Sequence, residues 1–146
     1  MYQRIDGGKW RHVWVVSDIH GCYQWLLDEL KRRRFNPYED LLISVGDLID
    51  RGPDSVKCLQ LINEKWFRAV RGNHEQMAID SVENNDFALW LMNGGSWFSH
   101  LDDSQQQQVL TLLEARLLSK AESALVKMTG RSGLDNVPCS DLLCSV

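Results

Sequence analysis

Three short polar clusters, each preceded by an apolar run, stand out in the chain: Ser17-Asp18-Ile19-His20-Gly21, Gly46-Asp47-Leu48-Ile49-Asp50-Arg51-Gly52 and Arg71-Gly72-Asn73-His74-Glu75. Carboxylates, imidazoles and a carboxamide are ligand types that small divalent metals take, and planar guanidinium forks match phosphate oxygens. The combination describes metal-assisted hydrolysis of a phosphoester. Two divalent ions roughly 3.5 to 4 Å apart can hold a phosphoryl oxygen, acidify a shared water and stabilise both attacking and leaving oxygens.

Each residue has a distinct place in that chemistry. Asp47 is the carboxylate expected to bridge two metals, because it closes an apolar run and follows Gly46, whose missing side chain lets other groups approach. Asp18 and His20 are expected to hold the first metal and Asn73 the second. Asp18 and His20 are two apart, so an extended backbone would point both to one side. An extended backbone would likewise turn His74 away from Asn73, toward the substrate, where it can protonate a leaving alkoxide while Asp50 orients its imidazole. Arg51 and Arg71 are expected to clamp the phosphate. Taken singly, each cluster has a bland alternative: a turn, a surface ion pair, or a helix cap at Asn73. Their joint order argues against that alternative.

The elements that must position these residues are legible in the apolar pattern. Val13 to Ser17, Leu41 to Val45 and Trp66 to Val70 read as buried strands. Tyr23 to Arg34 and Asp54 to Lys65 carry apolar residues at helical spacing, and the order is β-α-β-α-β. Such alternation predicts an α/β fold with a mostly parallel sheet flanked by helices, and open sheets of this kind bind ligands outside the C-terminal strand ends, where all three clusters begin. A further helix is expected from His74 to Glu83, and a long amphipathic one from Ser104 to about Met128. Trp90, Trp97 and Phe98 read as core or lid packing, since no basic groove accompanies them.

Composition bounds the rest. The 146 residues are 44% hydrophobic and 25% charged, with a net charge of -4, the balance of one globular domain with no general attraction to nucleic acid or anionic membrane. No apolar leader or membrane span is visible, which predicts a cytoplasmic protein with free thiols at its four cysteines. His12 and His100 lack functional context.

The set Asp18-x-His20-Gly21, Gly46-Asp47-x-x-Asp50-Arg51-Gly52 and Gly72-Asn73-His74-Glu75 resembles the signature of the calcineurin-like metallophosphoesterases. The surrounding sequence is similar to the bacterial serine/threonine protein phosphatases of the lambda-phosphatase type. The resemblance covers about Tyr2 to Leu118. It implies a metallophosphoesterase fold and manganese-dependent hydrolysis of phosphoserine, phosphothreonine and also phosphotyrosine in phosphorylated proteins or peptides. It carries the metal-ligand role to Asp18, His20, Asp47 and Asn73, the catalytic-acid role to His74, its partner to Asp50 and the clamp to Arg51 and Arg71. It also implies two more metal-binding histidines from a second half, whereas no histidine follows His100. The chain accordingly reads as truncated, with the C-terminal half missing. Residues 1–118 are the N-terminal part of the domain and 119–146 a divergent, poorly ordered tail, as a frameshift or premature stop would leave. Other readings are an inactive fragment that binds phosphoproteins through Arg51 and Arg71, and a dinucleoside tetraphosphatase, which shares the Asp-x-His and Asn-His-Glu core.

Overall fold

The computed structural model describes residues 5–115 and 143–145. Strands β1 (His12–Val16), β2 (Asp40–Ser44) and β3 (Phe67–Ala69) alternate with helices α1 (Tyr23–Arg32) and α2 (Ser55–Gln60). They are followed by α3 (Asn73–Glu83), α4 (Ala88–Met92) and α5 (Asp103–Ala115), and then by β4 (Leu143–Ser145). The sheet has the order β3-β2-β1-β4, with β1, β2 and β3 parallel and β4 antiparallel against β1. The mostly parallel sheet expected from the sequence is therefore present.

Burial explains the placement. All five residues of β2 are buried, as suits a strand with neighbours on both edges and helices on its faces. Helix α1 turns Leu26 and Leu30 inward and α2 turns Cys58 and Leu59, and these meet Leu42, Phe67, Ile79, Trp90 and Leu113 in one core. Helix α2 is shorter than its apolar spacing suggests. It ends at Gln60 and tightens into a 3-10 turn, Leu61–Asn63, rather than running to Lys65. Of the long helix expected from Ser104, the structure describes the part up to Ala115, and 116–128 lie outside the described residues. The tail expectation for 119–142 also lies outside them. Leu143–Ser145, given no structure by the sequence reading, pair with Trp14–Val16.

An ion-paired knot ties the start of β1 to the start of β2. Buried Asp40 accepts from Arg11 Nε and Nη2 at 3.0 and 2.7 Å, lies 3.1 Å from His12 Nδ1, and accepts from the Asn36 backbone N–H at 2.8 Å. Burial alone would raise its carboxyl pKa, but the bonds from Arg11, Asn36 and His12 bring it down from 3.8 to about 2. A carboxyl depressed in the folded state adds stability that is complete above its unfolded pKa and lost as pH falls through the folded one. With Arg11 44% exposed, solvent screening reduces the contribution to about 1 to 2 kcal/mol. Urea unfolding should therefore show Asp40→Asn less stable than the parent at pH 6, with the gap closing between pH 4 and pH 2. A gap that persists unchanged at pH 2 would contradict this account.

Candidate active site

The three clusters leave the ends of β1, β2 and β3 and lock together through their backbones. His20 N donates to Asp47 O at 2.9 Å, Gly21 N to Leu48 O at 2.8 Å, and Gly52 N to His20 O at 2.9 Å. Asp18, His20, Asp47, Asp50 and Arg51 all have positive φ, between 42° and 72°. Non-glycine residues seldom adopt that conformation, and it concentrates where side-chain direction matters more than backbone comfort. The extended backbone expected at Asp18 and His20 is thus corrected. Each residue turns left-handed, and the interloop bonds make that conformation affordable. His74 is likewise not extended, because it lies in the first turn of α3 with Gly72, not Asn73, as the N-cap.

Ligand atoms of Asp18, His20 and Asp47 lie within 4.8 Å of one another and form a candidate divalent-metal site. The residues fit such an ion in a second respect. His20 Nδ1 lies 3.0 Å from the Ile49 carbonyl, an acceptor, so this nitrogen carries the proton and Nε2 keeps the lone pair a metal requires. Gly46 (φ 112°) and Gly72 pack backbone to backbone. A Cβ on Gly46 would come 2.5 Å from Gly72 Cα, and one on Gly72 would strike the Asp47 carboxylate. This contact holds the second and third clusters together, so that His74 N donates to Asp47 Oδ1 at 3.0 Å. Asn73, the first residue of α3, is exposed.

Behind the site is a buried acid-base pair. His74 Nδ1 lies 2.7 Å from Asp50 Oδ2. Asp50 is fully buried and accepts further bonds from two indoles: Trp90 Nε1 at 2.9 and 3.0 Å, and Trp97 Nε1 at 2.7 Å. A buried carboxylate needs such donors to remain charged, and a buried indole N–H needs an acceptor. The tryptophans are therefore packed as expected, yet their indoles also hold Asp50 of the Asp50–His74 pair, which apolar patterning could not reveal. The rings of His20 and His74 meet edge to face at 4.7 Å.

The two arginines part company. Arg51 spans the imidazoles, with Nη1 3.2 Å from His20 Nε2 and Nη2 3.2 Å from His74 Nε2. The Arg71 fork turns instead toward α5. Its Nη1 donates to Gln76 Oε1 at 3.5 Å and its Nη2 to the Leu113 carbonyl at 3.4 Å, while its Nε has no hydrogen-bond partner among the described residues.

Glu75, quoted in the third cluster but given no role from sequence, proves central. Its buried carboxylate accepts from four backbone N–H groups, those of Asp47, Leu48, Ile49 and Gly72. Its place three residues after Gly72, at the start of a helix, was the available signal.

Comparison with known proteins agrees with this geometry. Residues 11–136 match the family model described as calcineurin-like phosphoesterase. The chain is 56% identical over 119 residues to serine/threonine-protein phosphatase 1 of Salmonella typhimurium, covering 80% of this chain and 55% of that protein. It is 53% identical over 112 residues to serine/threonine-protein phosphatase 2 of Escherichia coli, covering 77% and 51%. The chain thus spans about half the length of these curated relatives. A symmetrical bis(5'-nucleosyl)-tetraphosphatase of Mannheimia succiniciproducens matches over 65 residues at 44% identity, covering 43% of this chain and 24% of that protein. Among solved structures, a putative diadenosine tetraphosphatase superposes with a TM-score of 0.55 at 26% identity, over 73% of this chain and 44% of that one.

Proposed function

The chain belongs to the calcineurin-like phosphoesterase family, and on that premise we propose that its site serves a manganese-dependent phosphoprotein phosphatase acting on phosphoserine, phosphothreonine and also phosphotyrosine in a cytoplasmic setting. The observation that carries the reading is the buried Asp50–His74 pair, 2.7 Å apart, opening beside the Asp18, His20 and Asp47 ligand atoms. The similarity to two protein phosphatases over more than three quarters of the chain supports a phosphoprotein as substrate over a dinucleotide.

Asp18, His20 and Asp47 would hold a divalent ion, and Asn73 with Asp47 would contribute to a second. When bound, these ions supply an acidified water and neutralise phosphoryl charge. The chain's own residues do the rest. Arg51 offers a fork to the phosphate oxygens. Arg71 is the second cation of the clamp, since contacts of 3.4 and 3.5 Å are weak and readily exchanged for a phosphate oxygen. His74 keeps its Nδ1–H on Asp50, and once the Arg51 fork has left its Nε2, that nitrogen can carry the proton given to the leaving oxygen.

Hydrolysis of para-nitrophenyl phosphate, with and without manganese, tests the reading. Manganese-dependent turnover that disappears in Asp47→Asn is expected. Turnover indifferent to that substitution would sink it. A second reading, a phosphoprotein-binding module, is favoured by the Arg51 fork, which is exposed and makes no ion pair among the described residues. Phosphopeptide binding without turnover, lost in Arg51→Ala, is the result that would select it.

A further inference from the structure

Guanidinium nitrogens carry protons and no lone pair, so the Arg51 contacts make acceptors of both ring nitrogens they reach, Nε2 of His20 and Nε2 of His74. The opposite nitrogens are already committed. His20 Nδ1 faces the Ile49 carbonyl at 3.0 Å and His74 Nδ1 faces the Asp50 carboxylate at 2.7 Å, and both partners only accept. His20 therefore has one lone pair available, and Arg51 occupies it. A divalent ion at the Asp18, His20 and Asp47 group needs that same lone pair.

We propose that Arg51 is a latch: its fork competes with the metal for His20, and capture of the fork by a phosphate group releases His20, coupling anion binding to metal binding. The inference rests on the metal-site reading above and extends it from what Arg51 binds to what Arg51 controls. Three features of its surroundings fit a moving part. The residue is exposed, and among the described residues its guanidinium makes no ion pair, so its charge is uncommitted. The root is fixed: Arg51 has φ 68°, and a Cβ on Gly94 would lie 2.9 Å from Arg51 N and 3.3 Å from its Cγ, so the backbone stays put while the head is free to exchange partners. His74 supplies the second arm of the clasp, which a single flexible cation could not reproduce. Because coupling between two binding events is reciprocal, an anion that removes Arg51 from His20 must tighten the metal, and the metal must tighten the anion.

Calorimetric titration of manganese into the full chain, without and with inorganic phosphate, tests the latch. Arg51→Met removes the donor and the charge, and it should bind manganese about tenfold more tightly than the parent when phosphate is absent, the scale of one lost charge-assisted bond. Phosphate should raise manganese affinity in the parent by a larger factor than in this variant. Arg51→Lys keeps the charge on a flexible stem that cannot bridge both rings, and it should also bind more tightly than the parent. Circular dichroism confirms that each variant remains folded. The latch is overturned if Arg51→Met binds manganese no more tightly than the parent. It is equally overturned if Arg51→Lys matches the parent, because charge repulsion then explains the gain in Arg51→Met. If the parent and both variants all fail to bind manganese, the metal-site reading itself falls and the latch falls with it.

Discussion

Glu75→Gln is expected to destabilise the fold by about 3 to 5 kcal/mol, although the two side chains are nearly the same size. Glu75 Oε2 accepts from Asp47 N at 2.9 Å and Gly72 N at 2.7 Å, while Oε1 accepts from Leu48 N at 2.7 Å and Ile49 N at 3.3 Å. Burial pushes the carboxyl pKa up, against the pull of the N–H groups of Gly72, Leu48 and Asp47. Glutamine has one carbonyl oxygen, so its NH2 must face one of these donor pairs. Two buried N–H groups would then lack an acceptor, each costing roughly 1 to 3 kcal/mol, and the charge that strengthens all four bonds would be gone. Urea unfolding measures the loss directly. A companion measurement locates it: the Asp47 loop should loosen, so manganese affinity should fall along with stability. A loss below about 1 kcal/mol would show that the four N–H groups find other acceptors and that Glu75 is not the clasp between the second and third clusters.

The role of Glu75 marks where sequence reasoning reached its limit. Strands β1, β2 and β3 fall within about a residue or two of the apolar runs at Val13, Leu41 and Trp66, because a doubly covered parallel strand must be apolar on both faces. The convergence of the three clusters follows from parallel order alone, and Asp18, His20 and Asp47 do meet. The manner of meeting was not legible. An alternation rule for extended chain placed Asp18 and His20 on one side, whereas φ values of 42° and 45° achieve the meeting by a different backbone, one set by bonds to Asp47 and Leu48 from a distant segment. Trp90 and Trp97 illustrate the same limit from the other direction. Apolar pattern identifies an indole as packing but says nothing of its N–H, and only the fold shows both N–H groups aimed at Asp50. Arg71 sits in its motif as expected, yet the residues that hold it, Gln76 and Leu113, belong to helices whose approach no local pattern specifies.

Replacing His74 by asparagine is expected to lower kcat by about 10² to 10⁴, the usual range for a positioned general acid, without weakening manganese binding. The second half of that expectation follows from geometry. His74 stands beside the ligand group without belonging to it, since its Nδ1 is bound to Asp50 and its Nε2 faces Arg51 rather than the Asp18, His20 and Asp47 atoms. The size of the loss should depend on the leaving group. A nitrophenolate departs without being protonated, whereas the alkoxide of a serine needs a proton as the bond breaks, so His74→Asn should harm a phosphoserine peptide far more than para-nitrophenyl phosphate. Steady-state rates for the two substrates separate the roles that His74 could have. A general acid predicts the unequal loss. A residue that only orients Arg51 predicts equal losses on both substrates, because both present the same phosphate to the same fork. A metal ligand predicts weaker manganese binding with either substrate. Equal losses with manganese affinity intact would move the catalytic weight from His74 to Arg51, and Asp50 with its two tryptophans would then be read as scaffolding for the arginine.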